Sequence, residues 1–372
     1  MKEIKRIVLS GGGTGGHIYP ALALYRTIQE KYPNVECLYI GTEKGLESTI
    51  VPKTGLNFKS IEIQGLKRSL SLDNFKSLWL MLTSTSKAKK ILTDFKPDVV
   101  VGTGGYVCAP VLYAASKLNI PTLIHEQNSV AGVTNKFLSR SVDVIATSFP
   151  EVEKDFSKFS DKVRYTGNPR GQEVIQSQAD PEILRTQFEL DPTKATVLVF
   201  GGSRGAPAIN QAALEAMKLW QEIDYQIVVA TGDIHYQEFV DQLKANSQQI
   251  PANIKVVPYI ENMPAVFQAI DLVICRSGAT TLTELTALGL PSILIPSPFV
   301  TNNHQEHNAL ALVNNGAAQM IKQKELTAEH LVKQVNAIIT NNEKLAAMKE
   351  AALELGIRDA SDRIINELEA II

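Results

Sequence analysis

Short apolar runs bounded by glycine, proline or polar residues recur along the chain, with helix-length segments between them. Residues 4–10, 35–40, 98–102, 121–125 and 143–147 read as strands of this kind. Strands alternating with helices are the signature of βαβ units and a parallel sheet. The pattern then starts again, with strands at 196–201, 226–231, 254–258, 271–275, 291–295 and 317–321 and helices such as 210–220 and 237–246 between them. Gly167, Asn168 and Pro169 break the periodicity between the two series, over 164–171. The pattern therefore predicts an α/β protein of two Rossmann-like, doubly wound parallel-sheet domains, residues 1–164 and 165–356. An amphipathic helix over 360–372 closes the chain, and the segment 357–372 is expected to pack back on the first domain.

Composition narrows the class. The 372 residues are 44% hydrophobic and 20% charged, which excludes a disordered or fibrous chain. Cys37, Cys108 and Cys275 lie too far apart for a disulfide framework or a zinc ribbon and are expected as buried thiols. The first apolar run is too short for a signal peptide, and no stretch approaches the roughly 18 apolar residues of a membrane span, so neither export nor spanning is expected. The net charge of −2 conceals an asymmetry: residues 1–163 carry 21 Lys and Arg against 15 Asp and Glu, and the remainder is acidic. The excess is concentrated at Lys67, Arg68, Lys76, Lys87, Lys89 and Lys90, opposed over that stretch by Asp73. No nucleic-acid module or whole-domain basic excess is present, so no nucleic-acid partner is expected.

Four glycine turns follow strands: Gly11-Gly12-Gly13-Thr14-Gly15-Gly16-His17, Gly102-Thr103-Gly104-Gly105-Tyr106, Gly201-Gly202-Ser203-Arg204-Gly205 and Arg276-Ser277-Gly278-Ala279. At the carboxyl ends of parallel strands such turns let backbone approach phosphate at a helix N-terminus. Gly11, Gly13 and Gly16 spell G-x-G-x-x-G, but the acid that a dinucleotide site needs at the end of the second strand is missing from Tyr39-Ile40-Gly41-Thr42. No Gly-Lys-Ser/Thr follows any turn, which removes a Walker A loop.

Among side chains with chemistry, His17 ends the first turn and is either a polar helix start or a general base for a hydroxyl. Glu126 is a second candidate, an end-of-strand acid or an assisting base. Thr281 and Glu284 have the spacing of a capping box, and Glu284 also suits a ribose diol. His304 and His307 lack a third ligand and no Asp-x-Asp pair occurs, so no metal or other cofactor is expected.

Taken together, Gly12-Gly13-Thr14-Gly15-Gly16-His17, Gly104-Gly105-Tyr106, His125-Glu126-Gln127-Asn128, Gly167-Asn168-Pro169, Gly201-Gly202-Ser203-Arg204-Gly205 and Cys275-Arg276-Ser277-Gly278-Ala279 with Glu284 resemble family 28 of the bacterial glycosyltransferases. The resemblance runs from the first strand through the second domain. It implies the GT-B architecture, two such domains facing a cleft, and inverting transfer of N-acetylglucosamine from UDP-GlcNAc to the C4 hydroxyl of lipid-linked MurNAc-pentapeptide, lipid I, giving lipid II for peptidoglycan.

Carried over residue by residue, the resemblance puts Thr14, Gly15, Gly16 and His17 at the donor and acceptor cleft, Gly104, Gly105 and Tyr106 on the acceptor side, and Asn128 on the GlcNAc hydroxyls. Ser203 and Arg170 would contact the diphosphate and Ile260 would lie beside uracil. Ala279, Thr280, Thr281, Leu282, Thr283 and Glu284 would wrap the nucleoside, with Gln305 and Asn308 holding the sugar. His17 would be the base, with Glu126 next in line.

A polyprenyl acceptor gives the basic stretch a purpose. Lys67, Arg68 and Lys76 alternate with Leu72, Phe75, Trp79 and Leu82, an apolar surface rimmed with positive charge that suits the cytoplasmic face of an anionic membrane, held peripherally. Cell-wall synthesis or division proteins are expected partners. Rival readings are a UDP-GlcNAc 2-epimerase, a diacylglycerol glucosyltransferase and a non-catalytic UDP-sugar sensor.

Overall fold

The computed structural model describes residues 3–63, 73–202, 205–246 and 249–372, apart from the side chains of 73–79. Each strand series closes into an all-parallel sheet. The first contains β1 (Arg6–Ser10), β2 (Glu36–Gly41), β3 (Asn57–Ser60), β4 (Val99–Gly102), β5 (Thr122–Glu126), β6 (Val144–Thr147) and β7 (Val163–Tyr165), in the order β3-β2-β1-β4-β5-β6-β7. The second contains β8 (Thr196–Phe200), β9 (Gln226–Ala230), β10 (Ile254–Val257), β11 (Leu272–Cys275), β12 (Ser292–Leu294) and β13 (Ala318–Met320), in the order β10-β9-β8-β11-β12-β13. In both sheets winding proceeds outward from the first strand and then reverses, between β1 and β4 and between β8 and β11. Those reversals are where open α/β sheets bind ligands.

The strands are apolar throughout because helices cover both faces of a parallel sheet. Side chains still alternate: Ile7, Leu9, Val99 and Val101 pack with Ile18 and Leu22 of the helix Gly15–Lys31, whereas Val8 and Val100 pack with Val111 and Leu112 of the helix Cys108–Lys117 on the other face. The strands β3 and β7, the edges of the first sheet, escape the sequence pattern. Their residues are exposed or half-buried, so no continuous apolar run marks them.

The chain divides into two compact units, Met1–Glu173 with Ile357–Ile372, and Val174–Gly356. The terminal helix Ala360–Ile371 buries Ile364, Ile365 and Leu368 in the core of the first unit. Its polar edge is tied down as well. The buried Glu369 accepts from Lys31 Nζ and Tyr32 Oη, while Gln172 donates to Asp362 at 2.9 Å and accepts from the Ser361 amide at 2.8 Å. Among the described residues no helix is long and apolar enough to cross a membrane.

Because Leu368 is fully buried, Leu368→Ala should destabilise the first unit by about 3 kcal/mol, read as a lower urea midpoint. An unchanged midpoint would mean that this helix does not stabilise the unit.

Candidate active site

The four glycine turns fall at the two winding reversals. In the first unit, β1 runs into Gly11–Gly13 and the helix Gly15–Lys31 starts with Thr14 as its N-cap, while β4 runs into Thr103–Tyr106. The turns touch each other through the Gly12 amide, which donates to the Gly104 carbonyl at 3.1 Å. The contact needs glycine: a Cβ on Gly105 (φ +88°) would sit 2.4 Å from the Gly12 oxygen. A Cβ on Gly104 (φ +109°) would lie 2.7 Å from Cδ2 of His17, so the imidazole rests directly against this backbone.

The His17 Nδ1 stands 2.8 Å from the Gly12 carbonyl oxygen. A carbonyl only accepts, so Nδ1 carries a proton, and the neutral tautomer compatible with this contact has its lone pair on Nε2. The helix start is further fixed by Thr103 Oγ1, which donates to the His17 carbonyl at 2.6 Å.

Residues from outside the glycine motifs hold these turns. Tyr39 Oη donates to the Gly11 carbonyl at 2.9 Å, and the carboxylate of Glu47 accepts from the Gly13 amide at 2.9 Å. Cys108 Sγ accepts from the Gly104 amide at 3.2 Å and donates to its carbonyl at 3.0 Å. Burial pushes this thiol up to about 12, so it remains the protonated donor that the geometry requires. Spacing gave no signal for Glu47: a nucleotide-binding acid was sought at the end of β2, whereas this one enters from the following helix, Glu47–Lys53.

The segment after β5 packs beside the same turns. Gln127 donates to the Thr103 carbonyl at 2.7 Å and to His125 Nδ1 at 2.9 Å, and His125 Nε2 donates to the Gly167 carbonyl at 2.9 Å. Burial lowers the His125 imidazole to about 4, and it stays neutral. Glu126, read as an end-of-strand acid or an assisting base, is the last residue of β5. One oxygen accepts from the Asn128 amide and side chain, the other from the Gly132 amide at 2.9 Å and Asn135 at 2.8 Å, so four donors from its own loop fill the carboxylate. This geometry holds Asn128 in place. Tyr106 is exposed, and Arg170 lies in the first unit, its guanidinium 5.8 Å above the Tyr19 ring and paired with Glu173.

In the second unit, β8 runs into Gly201 and Gly202, and β11 runs into Arg276–Gly278. Ser203 lies outside the described residues. Among the described residues, and leaving aside the chain neighbours, no heavy atom comes within 4 Å of where a Cβ would stand on Gly202 or Gly278, so the backbone is open there. Gly278 is the N-cap of the helix Ala279–Leu288, which places Thr281 inside the helix. The capping box considered for Thr281 and Glu284 is therefore not the start of this helix. Glu284 is buried one turn in, and Thr280 Oγ1 is buried without a hydrogen-bond partner.

The loop after β12 closes on the same turn: Ser277 Oγ donates to the Gln305 carbonyl at 2.7 Å, Asn308 donates to the Ser277 carbonyl at 3.3 Å, and Gln305 accepts from the Ser297 amide at 2.9 Å. Ala279, Thr280, Thr281, Leu282, Thr283, Glu284, Gln305 and Asn308 thus gather around one helix start, while the side chain of Ile260 is buried. His304 turns to the Thr301 carbonyl at 2.8 Å, and no group of three or more His, Cys, Asp or Glu among the described residues could hold a metal ion.

Two doubly wound sheets, each with glycine turns at its winding reversal, are an architecture used by enzymes that handle nucleotide-linked substrates. Residues 7–147 match the glycosyltransferase family 28 N-terminal domain and residues 196–364 its C-terminal domain. The chain is 51% identical over 367 residues to the UDP-N-acetylglucosamine--N-acetylmuramyl-(pentapeptide) pyrophosphoryl-undecaprenol N-acetylglucosamine transferase of Listeria welshimeri, covering 99% of both chains. It is similar to the crystal structure of Acinetobacter baumannii MurG, with a TM-score of 0.77 and 29% identity over 98% of this chain and 99% of that one. A UDP-GlcNAc 2-epimerase from Neisseria meningitidis shares the fold, with a TM-score of 0.65 and 15% identity over 99% of this chain and 100% of that one. The chain belongs to glycosyltransferase family 28 and has its GT-B fold.

The neutral His125 carries a pH dependence. Its folded imidazole protonates near 4 and a free one near 6.5, so the stability it contributes is present above about pH 6.5 and lost as pH falls towards 4. Between pH 7 and 5 this group should remove about 2 kcal/mol, measured by urea unfolding of the wild type, and His125→Gln should flatten that slope.

Proposed function

We propose that the protein transfers N-acetylglucosamine from UDP-GlcNAc to the C4 hydroxyl of MurNAc in lipid I, releasing UDP and forming lipid II with inversion at the anomeric carbon. The observation that carries this reading is His17, held with Nε2 as the accepting nitrogen between two glycine turns of a family 28 chain. In the reaction the acceptor oxygen attacks C1 of GlcNAc as Nε2 takes its proton, and the C1–O bond to UDP breaks with the electron pair leaving on the diphosphate.

Thr14, Gly15 and Gly16 meet donor and acceptor, the turn Gly104-Gly105-Tyr106 bounds the acceptor side, and Asn128, held by Glu126, meets the sugar hydroxyls. The second unit holds the nucleotide. The amides at the start of Ala279–Leu288, the Gly201–Gly205 turn and Ser203 receive the diphosphate, whose developing charge they stabilise with no need for a metal. Arg170 is the cation that the family resemblance assigns to the diphosphate. Glu284 takes the ribose diol as a two-oxygen acceptor, Ile260 lies beside uracil, and Gln305 and Asn308 hold GlcNAc.

The acceptor is membrane-bound, and the helix Asp73–Phe95 supports docking there at the cytoplasmic face. Leu82 is 65% exposed on it and Lys87, Lys89 and Lys90 are exposed beyond. Lys67, Arg68 and Leu72, and the side chains of Phe75, Lys76 and Trp79, lie outside the described residues.

With His17→Ala, disaccharide formation should fall by about 100-fold or more while UDP-GlcNAc affinity stays within about threefold, by calorimetry. Near-normal turnover would overturn the base assignment. Leu82→Ser combined with Lys87→Glu should weaken sedimentation with anionic phospholipid vesicles, and unchanged binding would remove the membrane reading.

A further inference from the structure

The amide of Gly13 and the carbonyl of Gly12 are the two ends of one peptide group. Glu47 binds the first end at 2.9 Å, and His17 Nδ1 binds the second at 2.8 Å. Resting on the reading of His17 as base, we infer that Glu47 is a positioning residue for it, acting through the Gly12–Gly13 peptide.

In a trans peptide the N–H and C=O point in opposite directions, so a carboxylate on the amide and an imidazole on the carbonyl form a single line of hydrogen bonds. Negative charge at the amide end polarises the group and strengthens its oxygen as an acceptor. That oxygen holds the Nδ1 proton, which fixes the tautomer with its lone pair on Nε2 and favours the imidazolium formed during transfer. The third group that orients a catalytic base is here reached through backbone.

Three observations set Glu47 apart from an ordinary helix-start acid. Its side chain is fully buried and has no ion-pair partner among the described residues. Its other oxygen is held by the Thr42 amide at 3.1 Å and the Thr42 hydroxyl at 2.6 Å, so the carboxylate cannot rotate away from Gly13 without losing both. Space is cleared for it by three glycines: a Cβ on Gly12, Gly41 or Gly45 would lie 2.4, 2.6 or 2.2 Å from Glu47 side-chain atoms. The other titratable groups on the same turns, Tyr39 and Cys108, are kept neutral by burial. Tyr19 and Tyr106 flank the site from the helix and the second turn, and the cation above Tyr19 is Arg170.

The test is nitrogen-15 NMR of the histidine ring together with steady-state kinetics on the full chain. Wild-type His17 should carry its proton on Nδ1. In Glu47→Gln, which preserves shape and removes charge, the Nδ1-protonated fraction should fall and kcat should drop about tenfold or more, with KM for UDP-GlcNAc within about twofold. Ser48→Ala, one residue along the same helix, should change neither. A wild-type ring protonated on Nε2 would overturn the inference without any variant. So would Glu47→Gln with an unchanged tautomer, whether its activity is normal or lost in parallel with substrate binding and thermal stability. If the tautomer shifts in Glu47→Gln but His17→Ala still turns over, the base assignment has failed and the peptide coupling stands.

Discussion

A single hydrogen bond, from His17 Nδ1 to the Gly12 carbonyl, sets the requirements for the whole first unit. For that carbonyl to face the ring, the turn after β1 must pass close to the turn after β4, and only glycine at 104 and 105 leaves room. The two turns meet because β1 and β4 are neighbours in the sheet, with winding reversed between them. The parallel core, its apolar strands and the helices on both faces thus serve to hold one peptide group against one imidazole. Polar residues from β2, from the helix after it and from the helix after β4 then lock the turns from behind, through Tyr39, Glu47 and Cys108.

The second unit repeats the strand order and uses it differently. Its turns present open backbone at Gly202 and Gly278, and a helix begins immediately behind Gly278. A site made of amides and a helix terminus suits a diphosphate, whereas a site built around an oriented imidazole suits a hydroxyl losing its proton. On the proposed reading, one architecture used twice separates the two demands of glycosyl transfer, stabilising the leaving group and activating the nucleophile.

Much of this was legible in the chain. Central strands are continuous apolar runs and declare themselves, and glycines clustered at strand ends mark the reversals, where Gly104 and Gly105 leave no room for a Cβ. The edge strands of the first sheet do not: Asn57–Ser60 has Phe58 as its one apolar residue, so no apolar run marks it. Pairwise contacts were also hidden. Glu47 follows β2 by a few residues and resembles any acid at a helix start, the four donors around Glu126 come from residues spread over 128–135, and Thr281 has capping-box spacing although the helix begins two residues earlier. Spacing along one segment identifies turns, but which side chain fills the space behind a turn depends on segments that meet only in the fold.

The most direct test of the central claim is UDP release from UDP-GlcNAc, with and without a soluble lipid I analogue, in EDTA and with the product linkage determined. Transfer by His17 and the backbone turns predicts release that requires the analogue, survives chelation and yields a β-linked GlcNAc–MurNAc disaccharide. UDP release without acceptor, accompanied by N-acetylmannosamine, or release abolished by EDTA, would contradict it.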